Sequence, residues 1–208
     1  MQIFLKDIRS IRDFPKERPD WVEEKRWIGI QKIKVQNDKL RSLASAYLLD
    51  VMCSEFKIYN PVYGYTDRAK PFLVNADCAF NISHSGDYVV LAFHAGTDVI
   101  GVDIQQLRVM REGMEKRILH EKEIVPEFKS EDERREYMNR LWAVKESFVK
   151  MTGEGLARDF RTIFVNFMNG TVEVEGGNKA AFSVWRWKED YYLAVCSANK
   201  EEYEIIEL

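Results

Sequence analysis

Lys145 and Glu146 stand where a helix ought to be apolar. In "RLWAVKESFVKMTGEGL", Arg140 to Leu156, an advance of about 100° per residue gathers Leu141, Trp142, Val144, Phe148, Val149 and Met151 into one arc. Lys145 falls inside that arc, and Glu146 lies on its edge beside Lys150. A buried ammonium needs a partner or gives up its proton, because desolvation disfavours the charged form. Two readings follow. Lys145 snorkels over the helix shoulder or pairs with a carboxylate from the other half of the chain. Alternatively, Lys145, Glu146 and Lys150 form one wall of a polar cleft that meets an anion and a cation.

A second unusual placement lies in "VIGVDIQ", Val99 to Gln105. Strand alternation sends Ile100, Val102 and Ile104 to one side and Gly101, Asp103 and Gln105 to the other. Aspartate is depleted in strands, so Asp103 inside a Val/Ile run marks either a wet edge face or a ligand. Gly101 leaves that face open beside it. Asp103 with Glu146 makes two carboxylates, a set that Mg²⁺ takes together with waters and substrate phosphates.

A third stretch, "FNISHSGDYVVLAF", places Ser83, His84, Ser85 and Gly86 at a turn before a buried strand. Hydroxyls, an imidazole and backbone N–H groups near a glycine make an anion-binding concavity, with His84 as a candidate phosphate contact. The same residue types also make an ordinary hairpin turn. A Ser/His hydrolase is disfavoured, since the G-x-S-x-G elbow is absent and nothing orders an acid behind the histidine. G-x-x-x-x-G-K-[ST], G-x-G-x-x-G and H-E-x-x-H are absent too. Gly153 and Gly155 read as a helix stop.

The elements that must hold these residues follow from the pattern. A strand is expected at Gln2 to Leu5, a basic helical segment around Trp21 to Ile30, and a helix from about Asp38 to Phe56. "YVVLAF" and "VIGVDI" read as buried strands. The region from Val109 to Met151 reads as charged, with helices. "RTIFVNFM", "TVEVE", "FSVWRW" and "YYLAVCSA" read as antiparallel strands, with a turn at Asn169-Gly170. "RSLASAYLLDVM" and "RLWAVKESFVKM" share Arg, Ala and Met at matching places, and "GDYVVLAF" and "EDYYLAV" are alike. The expectation is an α+β fold of two similar halves, residues 1–98 and 99–208, packed as a pseudo-dimer with a ligand site in the cleft between them.

The 208 residues are 46% hydrophobic and 12% aromatic, enough for a sizeable core. A formal net charge of -3 gives no global argument for nucleic acid, so any anion site is local. No apolar run approaches the roughly 20 residues of a membrane helix, and the start lacks the apolar region of a secretory signal. Three cysteines without C-x-x-C spacing suggest neither a disulfide framework nor a thiolate metal site. A cytoplasmic, monomeric protein is expected.

"FNISHSG", "IGVDIQ" and "LWAVKESFVKMTGEGL", in this order, resemble the Sfp-type 4'-phosphopantetheinyl transferases of the holo-acyl carrier protein synthase superfamily. That family carries a strand motif G-[IV]-D, here Gly101-Val102-Asp103, and a helix motif W-x-x-K-E-[SA]-x-x-K, here Trp142 to Lys150. The resemblance implies coenzyme A bound between two α+β halves. It also implies Mg²⁺-dependent transfer of phosphopantetheine to a serine of an apo acyl or peptidyl carrier protein, with release of 3',5'-ADP. By the same resemblance, Asp103 and Glu146 hold the metal, Glu146 serves as base, and Lys150 assists the leaving group. Ser83, His84, Lys145 and Lys150 contact the phosphates of coenzyme A. Lys70, which matches the lysine of a G-K-P turn in which Ala69 replaces the glycine, is expected to bind coenzyme A as well. Arg26 helps bind the 3'-phosphate, and Arg41 and Ser42 sit where the family often contacts the nucleotide end. Gln105 departs from the pattern, since many members carry glutamate at that metal-facing position. The alternatives are a non-catalytic coenzyme A or carrier-protein binding module, and an α+β interaction protein whose polar residues face solvent.

Overall fold

The computed structural model describes every residue except 69, 112, 156 and 157. Ala69 of the expected turn and Leu156 at the end of the helix motif therefore lie outside the described residues.

Two large sheets and two long helices form four layers, and β2 (Tyr63–Tyr65) and β3 (Pro71–Leu73) pair as a separate small sheet. The first sheet contains β1 (Gln2–Asp7), β4 (Cys78–Ser85), β5 (Tyr88–Ala95) and β11 (Glu204–Glu207), in the order β11-β1-β5-β4. The second contains β6 (Ile100–Gln106), β7 (Ile163–Asn166), β8 (Thr171–Val174), β9 (Lys179–Trp187) and β10 (Tyr191–Ser197), in the order β6-β10-β9-β8-β7. Their inner faces meet through Ile3, Leu5, Val90 and Ala92 on one side and Ile100, Val102, Ile104, Leu193 and Val195 on the other. The outer face of the first sheet is covered by α2 (Gln36–Glu55), through Leu48, Leu49 and Met52 against Phe4, Leu91 and Phe93. The outer face of the second is covered by α4 (Glu131–Thr152), through Leu141, Val144 and Phe148. Both faces of β5 are buried, which is why its sequence is a continuous apolar run rather than an alternation.

The two halves repeat one plan. In each, the first strand pairs antiparallel with the last, and the last pairs antiparallel with the one before it: β1-β5-β4 and β6-β10-β9. In each, a long helix between the first strand and the final hairpin covers the outer face. The similar stretches "GDYVVLAF" and "EDYYLAV" fall on β5 and β10, which hold the same place in their sheets. The fold is α+β, as expected, with its halves arranged as a pseudo-dimer.

Three features differ from the reading of the sequence. A division at residue 98/99 does not separate the sheets, because β11 returns to the first sheet and pairs parallel with β1. Ser83, His84 and Ser85 end β4, so only Gly86 and Asp87 make the turn, with Gly86 at φ +55°. The region from Val109 to Met151 carries helices as expected, a short α3 (Glu115–Ile118) and then α4. Gly101 does not open its face to a ligand. A Cβ there would run into the Ser147 carbonyl oxygen and the Met151 backbone nitrogen, so the glycine lets α4 lie against β6. Replacing Gly101 with Ala should therefore push α4 outward and cost about 1–3 kcal/mol. Urea unfolding checks this; an unchanged midpoint would show that the helix shifts freely.

The sheets are joined at one edge by side chains. β6 is the outer strand of its sheet, and its free N–H groups need acceptors. Alternate residues of β4 supply them. Val102 N–H donates to Asn81 Oδ1 (2.9 Å), Ile104 N–H to Ser83 Oγ (3.3 Å) and Gln106 N–H to Ser85 Oγ (3.0 Å). This seam fixes β4 and β6 side by side and sets the floor of a cleft between the halves.

Helix α4 is bounded by recognisable signals. Ser130 accepts the Glu133 N–H at 3.1 Å as N-cap, and Gly153 ends the helix at φ +74°. Its second half is buried almost all round, from Ala143 to Val149.

Candidate active cleft

A cleft of about 450 Å³ lies along α4 where β4 meets β6. Its walls include Ser83 and His84 from β4, Asp103 and Gln105 from β6, and Glu146 and Lys150 from α4. The alternation read from "VIGVDIQ" holds: Ile100, Val102 and Ile104 face the inner core, while Asp103 and Gln105 face the cleft.

At its centre Asp103, 4% exposed, accepts from Lys150 Nζ at 2.6 Å and from Ser83 Oγ at 2.7 Å, both on Oδ1. Lys150 Nζ also donates to Ser83 Oγ at 2.7 Å. The second oxygen, Asp103 Oδ2, is buried and has no hydrogen-bond partner among the described residues. Glu146 lies one helical turn before Lys150 on the same face of α4. Burial pushes its carboxyl up to about 7, and the Asp103 carboxylate adds to this while Lys150 opposes it. Gln105 binds the Gln106 carbonyl through its amide nitrogen (2.9 Å), which leaves the amide oxygen as its ligating atom. His84 is held neutral-leaning by burial of its ring, with Arg41 and Lys150 acting in the same direction.

These donors fit a hard divalent cation. Two carboxylates, one with an unused buried oxygen, and an amide oxygen are the protein share of a site that water and phosphate oxygens complete. Among the described residues there is no cluster of three or more His, Cys, Asp or Glu that encloses a metal by itself.

A second pocket of about 430 Å³ adjoins the cleft and shares Ile82 and His84 with it. Arg26 of α1 (Glu24–Gln31), Ser42 and Ser45 of α2 and Pro71 line it. Among the described residues Arg26 Nη1 is buried without an acceptor, and Arg26 also lines a further pocket with Trp21, Asp50 and Tyr63. Arg41 reaches the rim of the main cleft, where its guanidinium pairs with Asp38 and donates to the Gly86 carbonyl.

Two expected phosphate contacts lie elsewhere. Lys145 is fully buried and turned away from the cleft. Its ammonium sits 2.8 Å from Glu123 Oε1 and donates to the carbonyls of Ile118 (2.6 Å) and Phe160 (3.2 Å). Burial draws its pKa down to about 8, opposed by the Glu123 carboxylate. Lys145 ties the segment before α4 to the helix; its partner carboxylate comes from the same half of the chain, not the other. Lys70 is also committed to backbone: Nζ donates to Lys150 O (2.6 Å), Met151 O (3.3 Å) and Ile100 O (3.5 Å). A cation suits the last carbonyls of a helix, and its burial lowers the Lys70 pKa.

Sequence reasoning did not single out Trp142 or Arg108, both of which line the cleft. Trp142 precedes Glu146 by four residues, a spacing that could have placed it on the same face. Arg108 follows the end of β6, where no periodicity applies.

Paired carboxylates with a lysine between two α+β halves, next to a pocket that Arg26 lines, define a site suited to a divalent cation and a phosphorylated ligand. Residues 99–196 match the family model described as the 4'-phosphopantetheinyl transferase superfamily. A 4'-phosphopantetheinyl transferase of Bacillus subtilis is 30% identical over 152 residues, which is 70% of this chain and 67% of that protein. The 4'-phosphopantetheinyl transferase Sfp of Bacillus subtilis (strain 168) is 32% identical over 130 residues, 60% of this chain and 57% of that protein. The human L-aminoadipate-semialdehyde dehydrogenase-phosphopantetheinyl transferase is 36% identical over 93 residues, 40% of this chain and 30% of that protein. The chain belongs to the 4'-phosphopantetheinyl transferase superfamily.

Proposed function

We propose that this protein moves the 4'-phosphopantetheine group of coenzyme A to a serine of an apo acyl or peptidyl carrier protein, with Mg²⁺, and releases 3',5'-ADP. The observation that carries this reading is the convergence of Asp103, Glu146 and Lys150 in one cleft that adjoins the Arg26 pocket. The names of the relatives support the same reading.

In this reading the nucleotide end of coenzyme A lies in the pocket of Arg26, Ser42 and His84, and its diphosphate lies beside Lys150. Asp103, Glu146 and the Gln105 amide oxygen would hold Mg²⁺, whose chemistry is to neutralise charge on the diphosphate oxygens. Ser83 holds Asp103 by a hydrogen bond and so fixes the direction of its free oxygen. Glu146, with a carboxyl near 7, accepts the serine proton directly or through a water. The serine Oγ bonds to the phosphorus of the pantetheine phosphate as the bond from that phosphorus to the bridging oxygen breaks. Lys150 stabilises the leaving phosphate of 3',5'-ADP. Positioning and charge neutralisation supply most of the rate in such transfers.

We place the reaction in the cytoplasm and on a monomer. Three free cysteines suit a reducing compartment, and the repeated plan already gives one chain both walls of the cleft. Among the described residues no helix is long and apolar enough to cross a membrane.

Calorimetric titration with coenzyme A, with and without Mg²⁺, followed by chromatography for 3',5'-ADP after adding apo carrier proteins, tests the function. Binding with carrier-dependent release of 3',5'-ADP is the expected result. Binding without release would favour the non-catalytic binding module. Gln105 bears on the metal: Gln105→Glu should lower the Mg²⁺ concentration for half-maximal rate, since a carboxylate is the stronger ligand for a hard cation. An unchanged Mg²⁺ requirement would put position 105 outside the coordination sphere.

A further inference from the structure

At the C-terminal end of α4, a turn from the first half of the chain reaches the second. It joins β2 to β3, and its ends are tied to each other: Thr66 N–H donates to the Lys70 carbonyl (3.0 Å) and Lys70 N–H to Thr66 Oγ1 (3.1 Å). This fixes the backbone from which the Lys70 side chain leaves. The next residue, Pro71, opens β3 and lines the pocket of Arg26, Ser42 and His84. One residue thus faces the ligand pocket while its neighbour reaches into the other half.

The Lys70 ammonium has three N–H donors and no acceptor. They face three backbone carbonyls, those of Lys150 (2.6 Å), Met151 (3.3 Å) and Ile100 (3.5 Å). Lys150 and Met151 lie in the last turn of α4, where carbonyls have no partner within the helix. Ile100 begins β6. Among the described residues no carboxylate acts on this ammonium, and burial alone lowers its pKa. Arg68, two residues earlier in the same turn, donates to the Glu154 carbonyl just past the helix. Two cations of one turn therefore hold the end of α4, which suits the partial negative charge there. The carbonyl nearest to Lys70 Nζ is that of Lys150, and the Lys150 ammonium is the group that binds Asp103 and Ser83.

Resting on the functional reading above, we propose that Lys70 is a positioning residue for the transfer: it anchors the backbone of Lys150 from the opposite half of the chain and so sets where the Lys150 ammonium stands. It does not bind phosphate itself. Its hydrogens are already engaged by carbonyls, and turning one toward a phosphate oxygen would leave a helix-end carbonyl unpaired. The lever is the helix terminus. Without the ammonium the last turn of α4 loses its donor and frays, and Lys150 lies in that turn. Glu146 lies one turn deeper, where α4 is buried almost all round, and stays in place. Lys70 therefore acts on the leaving-group side of the reaction and not on the metal side.

The test is a double-mutant cycle of Lys70→Met and Lys150→Met, with Lys70→Arg beside it, below the melting range of every variant and with a carrier protein that the wild type modifies. Lys70→Met should lower kcat by about 10–100-fold, the effect of a catalytic group misplaced by about 1 Å. The coenzyme A KM and the Kd for 3',5'-ADP should stay near the wild-type values. Lys70→Arg, which keeps a cation at the helix end, should recover part of the rate. In the Lys150→Met background, Lys70→Met should cost little further, because the group it positions is gone. Hydrogen exchange without ligand should quicken at the end of α4 in Lys70→Met and stay unchanged around Glu146. Weakened coenzyme A or 3',5'-ADP binding at an unchanged kcat would make Lys70 a phosphate contact and overturn the proposal. Losses that multiply in the double variant overturn it too, since Lys70 would then not act through Lys150, as does unaltered exchange at the helix end. A wild type inert on every carrier defeats the functional reading, while the exchange measurement still decides whether Lys70 holds α4.

Discussion

Glu146→Gln should abolish most transfer activity while leaving the protein folded and, without metal, more stable than the wild type. The rate loss should be about 10²–10⁴-fold, the range for a removed general base or charge-stabilising group. The stability gain follows from burial. The Glu146 carboxyl is pushed up to about 7 from 4.5, chiefly by desolvation and then by Asp103. An acid whose pKa is raised on folding costs nothing below its unfolded value and destabilises progressively as pH climbs from about 4.5 through about 7. In chelator, thermal melts of Glu146→Gln should therefore match the wild type near pH 4 and exceed it at pH 8. Loss of activity with a lowered melting temperature at pH 8 would instead mark Glu146 as a structural residue.

Lys145→Met should behave in the opposite way. The ammonium and its partner Glu123 are both out of water, and Glu123 keeps hydrogen bonds from Val165 N–H (3.1 Å) and His120 N–H (2.9 Å). Removing the lysine leaves a buried carboxylate unpaired, which costs about 3–5 kcal/mol. For a chain of this size that is a fall in Tm of roughly 10 °C. Methionine retains much of the lysine's volume, so the loss reports charge and hydrogen bonding more than a cavity. The double variant Lys145→Met/Glu123→Gln should recover part of the stability, because no charge is then stranded. The Kd for coenzyme A, measured below the melting range, should stay near the wild-type value. A Lys145→Met protein with unchanged Tm but weakened coenzyme A binding would return Lys145 to the cleft.

The two lysines show what the sequence could disclose. Lys145 and Lys150 stand five residues apart in one motif, and helical geometry correctly marks Lys145 as lying within the apolar arc. It does not show what lies against that arc. The answer is a carboxylate at Glu123, in an irregular segment with no periodicity to place it. Strand alternation was the more informative pattern: it put Asp103 and Gln105 on the cleft face before any contact was known. It also put Gly101 there, but only the approach of α4 shows that Gly101 makes room for a helix, not a ligand. Lys70 was misjudged for a related reason, since its target is the end of a helix 80 residues away. The duplication was faint in sequence because twelve aligned residues share only three identities. It is clear in the strand pairings, which depend on backbone and not on side-chain identity. β11 gave no turn signal or long apolar run, and its place is fixed by pairing with β1 at the opposite end of the chain. Ser83 and Ser85 read as turn formers, but their partners are the edge N–H groups of β6, a role that composition cannot reveal.

The most direct test of the account is intact-mass spectrometry of apo carrier proteins from fatty-acid, polyketide and nonribosomal-peptide systems, each incubated with this protein, coenzyme A and Mg²⁺. The account predicts that at least one carrier gains a single phosphopantetheine, at its serine, and that Glu146→Gln gives no gain over the same time. Unmodified carriers throughout, from a protein that demonstrably binds coenzyme A, would contradict it.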